Sequence, residues 1–499
     1  MNNLNFFKKK LKDWSLIVVS NREPYLHSYN KVIKKDGKRE VVCKIPAGGL
    51  TAVLDPVMRV FGGLWVAGSQ GEADLEFVDE NNKILVPPKD PKYTLKRVWL
   101  PQEDYDKFYF GFANSTLWPL CHLVFQRPEF NLEYWKSYQK VNKAYAQACL
   151  EDIQTLEKKP LIFIQDYQLA LVPGIIREKM PMAKLIHFWH IPWPSPANFN
   201  ICPAEWRKAL LQGLLANDLL GFHITKYVKR FLDTVKAEFG DNVEVDFENS
   251  LVKQKDHITY VRSFPIGIDA RGIEKKAKSS KVKEEMKKIK QAYPYGPIII
   301  GIDRLDYTKG IPERFEAIKV FLKNNPRYQK AFNFIELAAP SREKVPAYQK
   351  IEEKINRLVK EINDEYGQNS TWRPIVFIKE KVSIERLLAT YRAADLCIVS
   401  SLEDGMNIVA KEFPASQIDN SGVLLLSEFA GAAEELREAV LINPFDIEDF
   451  AGKIKFALEM SEKEKKERME KLRKRVKDND SSYWVANILS QAIELKIIC

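Results

Sequence analysis

Short apolar runs rich in Val, Ile, Leu and Phe recur along the chain and alternate with longer amphipathic stretches, which is the rhythm of parallel strands covered by helices. In the first half the runs predict strands at Leu16–Ser20, Leu161–Gln165, Leu185–His190, Leu219–Phe222 and Ile258–Phe264. In the second half they predict strands at Ile298–Ile302, Phe332–Leu337, Ile375–Ile378, Leu396–Ser400 and Val423–Ser427. Each half therefore reads as its own doubly wound sheet, and the fold class is α/β with two Rossmann-like domains. Pro265-Ile266-Gly267-Ile268-Asp269 follows a strand and precedes a Lys/Glu-rich helix, which places the hinge there. The predicted domains are residues 1–267 and 268–479. After the polar break Asp478-Asn479-Asp480, residues 480–499 form one more amphipathic helix.

Tyr29–Ile45 alternates apolar and charged residues around Asp36-Gly37, the signature of a β-hairpin with a tight turn. It overhangs a pocket or is a surface hairpin with no role; the pattern does not separate the two. The longest apolar runs, such as Pro297–Ile302 and Gly422–Leu426, have strand length and fall far short of the ~18 residues a membrane span needs. The basic start is followed by an apolar stretch too short for a secretory signal, so the expected location is the cytoplasm.

At 499 residues the chain exceeds what one core usually organises, in keeping with two domains. Its six cysteines lack C-x-x-C spacing and sit mostly in apolar segments, which reads as free buried thiols and not as disulfides or a zinc site. The formal charge of +10 raises the question of nucleic acid. Much of the excess is local, in mixed Lys/Glu runs such as Glu274–Lys290 and Lys463–Lys477 that read as solvated helix faces. No binding module or basic face with interleaved aromatics accompanies them, so no nucleic-acid partner is expected.

Ligands of open α/β sheets sit at the carboxyl ends of the strands, so the residues just after each strand carry the chemistry. Here they are polar: Ser20-Asn21-Arg22, Asp166-Tyr167, His190-Ile191-Pro192-Trp193-Pro194 and His223 in the first half. The second half offers Asp303-Arg304-Leu305-Asp306-Tyr307-Thr308-Lys309-Gly310, Pro340-Ser341-Arg342 and Glu403-Asp404-Gly405-Met406-Asn407. Two halves with polar strand ends imply a ligand held in the cleft between them. Arg304 and Lys309 suit a diphosphate, one as a fork of donors and one as a point charge; the competing reading is a surface ion pair with Asp303 or Asp306.

Asp404-Gly405-Met406-Asn407 opens a helix over Ile408–Phe413, whose first amides suit a phosphate, although Asp before Gly is equally a good cap. Glu412 lies two turns further on, a ribose acceptor or an exposed helix carboxylate. The D-x-D sequences Asp104–Asp106 and Asp478–Asp480 follow no strand end and read as surface. No nucleophile elbow, H-E-x-x-H or P-loop is present in the sequence, which removes the common hydrolase and kinase chemistries.

Taken in order, Ser20-Asn21-Arg22, Ala47-Gly48-Gly49-Leu50, Asn114-x-x-Leu117-Trp118-Pro119, Asp166-Tyr167, His190-Ile191-Pro192-x-Pro194, Gly221-Phe222, Pro265-Ile266-Gly267, Arg304-Leu305-Asp306-Tyr307-x-Lys309-Gly310, Ala339-Pro340-Ser341-Arg342, Asp404-Gly405-Met406-Asn407 and Phe429-Ala430-Gly431-Ala432-Ala433 closely resemble the trehalose-6-phosphate synthase family. The resemblance runs from about residue 15 to 485 in matching order. It implies a GT-B glycosyltransferase that needs no metal or other cofactor. Such an enzyme moves glucose, with retention, from a nucleoside-diphosphate glucose, UDP-glucose first among them, to glucose 6-phosphate.

By that resemblance Arg304 and Lys309 grip the donor diphosphate, with Gly49 nearby. Asp404 and the backbone of Gly405, Met406, Asn407, Ile408 and Val409 hold the donor glucose and phosphates, Glu412 the ribose, and His190 the donor glucose. Arg22, Tyr109, Trp118 and Arg342 form the phosphate end of the acceptor site, with Asp166 on the sugar hydroxyls, and the C-terminal helix crosses back to the first domain. His190, Arg304, Lys309 and Asp404 are the residues implied for catalysis. The partners are small molecules, and a homo-oligomer is compatible with the sequence.

The departures concern the acceptor. Gly68 stands where many synthases carry a second tryptophan, and Gln165-Asp166-Tyr167-Gln168 replaces His-Asp-Tyr-His. Arg22-Glu23-Pro24-Tyr25 with a long following loop also resembles glucosylglycerol-phosphate synthase, a relative that uses glycerol 3-phosphate. A catalytically silent sugar-phosphate sensor would be expected to lack the ionic donor residues, and this chain has them.

Overall fold

The computed structural model describes residues 2–33, 39–46, 49–368 and 370–498. It divides into two compact units. The first is built from residues up to Cys121, Arg127–Phe264 and Ser481 onward; the second from His122–Gln126 and Pro265–Asp480.

In the first unit ten strands form one sheet in the order Glu244–Asp246, Leu251–Gln254, His257–Ser263, Leu219–Phe222, Lys184–Phe188, Lys159–Gln165, Trp14–Ser20, Leu64–Gly68, Tyr93–Val98 and Lys83–Val86. The strands from His257–Ser263 to Tyr93–Val98 run parallel, and the edges are antiparallel. Ile17, Val18, Val19, Ile162 and Ile164 are wholly buried, the continuous apolar run expected of strands covered on both faces. Trp14–Ser20 is flanked on one side by Lys159–Gln165 and on the other by Leu64–Gly68, so the winding reverses beside it.

The C-terminal helix Ser481–Glu494 belongs to this unit and sinks Trp484, Val485, Ile488 and Leu489 into it. Each such side chain contributes about 1.5–3 kcal/mol by burial. The Trp484 indole donates to the Phe264 carbonyl at 3.2 Å.

The second unit is a six-stranded, all-parallel sheet in the order Ile375–Ile378, Asn333–Ala339, Ile298–Arg304, Leu396–Val399, Val423–Ser427 and Val440–Ile442. The helix Ile311–Asn324 buries Ile311, Phe315, Ile318 and Leu322 at helical spacing against it. The reversal of winding falls between Ile298–Arg304 and Leu396–Val399.

Several expectations are corrected. Residues 122–126, assigned from the sequence to the first domain, join the second unit: Leu123 N donates to Glu403 Oε2 at 3.0 Å and the Phe125 ring meets Phe445 at 6.5 Å. The strand expected to reach His190 ends at Phe188, whereas the one expected to end at Ile302 continues through Arg304. Asp303 and Arg304 still pair, with Ala338 and Ala339, because a ladder uses backbone groups whatever the side chain. The strands Leu64–Gly68, Lys83–Val86, Tyr93–Val98, Glu244–Asp246, Leu251–Gln254 and Val440–Ile442 were not expected.

The hairpin pairs Leu26–Ile33 with Arg39–Lys44, and its Asp36-Gly37 turn lies outside the described residues. Cys43 on it is exposed, against the expectation of buried thiols. Cys121, Cys149, Cys202 and Cys397 are buried, and Cys499 lies outside the described residues.

Candidate functional site

Both reversals of winding carry the polar strand ends singled out by sequence, and each unit presents its own set. In the first unit, Ser20-Asn21-Arg22 leaves one strand and Asp166 the neighbouring one. Exposed Arg22 donates from Nη2 to the Tyr109 hydroxyl at 3.3 Å. Tyr109 sits on the wide π-helical segment Lys107–Leu117, where the Asn114 amide donates to the Tyr109 carbonyl and Ser115 Oγ to that of Phe110, five residues back in each case. Such π-type turns are rare and recur at functional sites.

Trp118 follows directly and meets the Tyr167 ring at 5.9 Å, beside Asp166. Asp166 has φ 74°, and its carboxylate accepts from Tyr167 N at 2.9 Å and from His190 N at 3.3 Å. The structure thus brings Arg22 to Tyr109, and Trp118, Asp166 and His190 to one strand-end cluster. Gly49 opens the helix Gly49–Phe61 of the same unit, while Ala47 and Gly48 lie outside the described residues.

His190 Nε2 is 3.1 Å from Gln165 Oε1. Burial, reinforced by the neighbouring His223 and His187, holds its pKa well below the usual histidine value, so the ring is neutral near pH 7. His187 is fully buried with Nε2 3.0 Å from the Asp166 carbonyl, and burial pushes its pKa down to about 4. A neutral Nε2–H donating to that carbonyl fixes the backbone from which Asp166 projects.

In the second unit, Arg304 ends its strand and Lys309 lies on the short turn Tyr307–Lys309. Gly310 closes that turn at φ 62°, and a β-carbon there would fall on the Ser400 carbonyl, so only glycine lets the turn lie against the neighbouring strand. Lys309 Nζ reaches Asp404 Oδ2 at 2.5 Å. The same oxygen accepts from Asn407 Nδ2 at 3.1 Å and Ser401 Oγ at 3.3 Å. Burial alone would raise the Asp404 pKa, but the Lys309 charge and hydrogen bond, the His122 charge and Asn407 outweigh it and hold it below the usual carboxylate value.

Asn407 adopts φ 71°, and its Oδ1 accepts from Ala410 N at 3.1 Å, capping the helix Val409–Ser416. Gly405, Met406, Asn407, Ile408 and Val409 therefore lead the backbone into that helix start. Glu412, half-buried, accepts from the Tyr391 hydroxyl at 2.9 Å, and burial raises its pKa to about 6. The exposed-carboxylate reading of Glu412 is thereby set aside.

Of the surface ion pairs weighed for Arg304 and Lys309, Arg304 does lie 3.7 Å from Asp306, but that carboxylate is buried. Asp306 is also 3.0 Å from Arg342 Nη1. Arg342, itself buried at φ 50°, also donates to the Tyr348 hydroxyl.

Sequence reasoning missed the support beneath these groups. Arg314, wholly buried, donates to both oxygens of Glu336, to Asp303 and to Ser400 Oγ, at 2.6 to 3.0 Å. Burial pushes the Glu336 pKa up to about 7 against the pull of Arg314. A signal was available: Arg314 interrupts the apolar face Ile311, Phe315, Ile318, and Glu336 the apolar strand Asn333–Ala339. In the first unit the missed residues are Tyr105, stacked on Tyr109 at 5.5 Å, and Tyr145, whose hydroxyl abuts Gly68.

The model of glycosyltransferase family 20 matches residues 14–494. Among similar proteins, a trehalose-6-phosphate synthase of Mycobacterium leprae is 36% identical over 494 residues, covering 97% of this chain and 96% of that protein. An α,α-trehalose-phosphate synthase [UDP-forming] A of Dictyostelium discoideum is 34% identical over 469 residues; the match covers 94% of this chain and 61% of the longer relative. A crystal structure of an α,α-trehalose-phosphate synthase (UDP-forming) from Burkholderia xenovorans in complex with glucose-6-phosphate superposes with a TM-score of 0.82 at 28% identity, covering 96% of this chain and 99% of that one. Two doubly wound sheets with polar strand ends at each reversal, and a family match over nearly the whole chain, lead to one conclusion: the chain belongs to glycosyltransferase family 20 and is a glycosyltransferase.

Proposed function

We propose that the chain transfers glucose from UDP-glucose to glucose 6-phosphate with retention, forming α,α-trehalose 6-phosphate. The observation that carries the reading is the Lys309–Asp404 pair, held at a reversal of winding beside the amides that lead into Val409–Ser416. UDP departing from the sugar gains negative charge as the bond breaks. Arg304, Lys309 and those amides meet that charge with preorganised donors, which lowers the barrier where the charge develops. Asp404 then holds glucose hydroxyls and Glu412 the ribose.

In the first unit, neutral His190 donates to or accepts from the donor glucose, and Arg22 with Tyr109 takes the acceptor's phosphate. In the second unit, Arg342 offers a guanidinium suited to a phosphorylated acceptor. The acceptor hydroxyl attacks from the face the nucleotide leaves, and a β-phosphate oxygen takes its proton, so no enzymic nucleophile is required. The names of the Dictyostelium and Burkholderia relatives support UDP as the product nucleotide, and the Burkholderia complex supports glucose 6-phosphate.

A second acceptor, glycerol 3-phosphate, is raised by one observation: a β-carbon at Gly68 would fall on the Tyr145 hydroxyl, so a tryptophan there would require Tyr145 to move. The test is UDP release from UDP-glucose with each acceptor offered alone and the product identified by mass. Turnover with glucose 6-phosphate yielding a trehalose phosphate supports the main reading; turnover with glycerol 3-phosphate alone replaces it.

A further inference from the structure

Asp306 belongs to the strand-end loop of the second unit, and its two carboxylate oxygens do different things. Oδ1 accepts from Thr308 N at 3.1 Å and Thr308 Oγ at 3.0 Å, tying the carboxylate to the turn that carries Lys309. Oδ2 faces the cations: Arg342 Nη1 at 3.0 Å and Arg304 Nη2 at 3.7 Å, with the Tyr348 hydroxyl donating at 3.1 Å. The side chain is completely buried, and despite burial the surrounding positive charge of Arg342, Arg304 and Lys309 keeps it ionised, with a pKa of about 2.

Two guanidinium groups directed at one region repel, and each long side chain has many rotamers to lose. A carboxylate between them offsets the repulsion and fixes both. Arg342 needs such a tether most, since its left-handed backbone is uncommon for a side chain of this size. Tyr348 completes the clamp: its hydroxyl accepts from Arg342, the guanidinium lies 5.4 Å over its ring, and the ring meets Tyr307 at 5.2 Å.

We infer that Asp306 is a positioning residue that binds Arg304 and Arg342 into one cationic group, so that a single carboxylate sets the arginine for the donor diphosphate and the arginine for the acceptor phosphate. The inference rests on the functional reading above. It orders the effects: Arg342 has the closer contact, so losing the carboxylate weakens acceptor binding more than donor binding.

The experiment is steady-state kinetics of full-length Asp306→Asn and Tyr348→Phe against the unaltered enzyme, varying UDP-glucose and the phosphorylated acceptor in turn, with melting temperature measured alongside. In Asp306→Asn the acceptor KM rises tenfold or more, the donor KM by less, and kcat falls by a smaller factor than the acceptor KM rises. Tyr348→Phe, which keeps the buried volume, raises the acceptor KM about threefold and serves alone if the first variant does not fold. A merely structural carboxylate would lower the melting temperature and the active fraction while leaving both KM values in place, and that result would overturn the inference. Silence of the unaltered enzyme with every phosphorylated acceptor would instead overturn the functional reading, and the inference with it.

Discussion

Lys309 Nζ and Asp404 Oδ2, 95 residues apart in sequence, lie 2.5 Å apart at adjacent strand ends of the second unit. The pair holds an ammonium ready for a diphosphate and a carboxylate ready for sugar hydroxyls. Lys309→Ala is expected to lower kcat/KM by two orders of magnitude or more, since a lost charge stabiliser of this kind costs ~3 kcal/mol in the transition state. UDP-release kinetics check it, with circular dichroism confirming the fold; near-normal turnover would rule out Lys309 as the donor-site cation.

Glu412 reports on the nucleotide. With a pKa raised to about 6, it is ionised and a strong acceptor above that value and protonated below it. UDP-glucose, whose doubly esterified diphosphate has no ionisation near pH 6, should therefore bind better as pH rises from 5 to 7.5, measured by calorimetry without acceptor. Glu412→Gln should bind it about tenfold more weakly at pH 7.5, the worth of a charge-assisted hydrogen bond, and show no step near pH 6. A step that persists in the variant would assign it to another group.

His187 couples the first unit's stability to acid. Its folded pKa of about 4 lies below the usual histidine value near 6.5, so the unfolded chain takes up the proton first as pH falls. Stability contributed by the neutral ring is full above about pH 6.5 and drains away towards pH 4, by about 3 kcal/mol in all. Thermal melts at pH 7, 6 and 5 should fall progressively, and His187→Gln should fall less over that interval. Parallel curves for the two proteins would refute the assignment.

Gly68 and Tyr145 form a steric pair: a β-carbon at 68 would fall on the Tyr145 hydroxyl. Gly68→Ala is expected to destabilise by about 1–3 kcal/mol through overpacking, and Tyr145→Phe in the same chain should recover part of it. Urea unfolding of the single and double variants measures the coupling, and additive effects would show that the clash is relieved elsewhere.

Arg314→Leu is expected to cost about 3–5 kcal/mol, because it strands Asp303 and Glu336 in the core. Urea midpoints test this; a loss under 1 kcal/mol would mean that both carboxylates simply protonate.

Hydrophobic periodicity, a property of local sequence, determined much of this protein: the alternation of strands and helices, two wound sheets, and the polar residues at their ends, since a parallel strand covered on both faces is mostly apolar whatever lies beside it. The motifs at Arg304–Gly310 and Asp404–Asn407 were legible because the turn and the helix start are local structures with local residue requirements. What only the tertiary structure decided is partnership. Residues 122–126 join the second unit, Lys309 finds Asp404, Asp306 binds Arg342, and Arg314 sits between Asp303 and Glu336. The last three depend on which buried charges desolvation forces together, the first on a backbone hydrogen bond and a ring contact, and all are set by how distant segments pack.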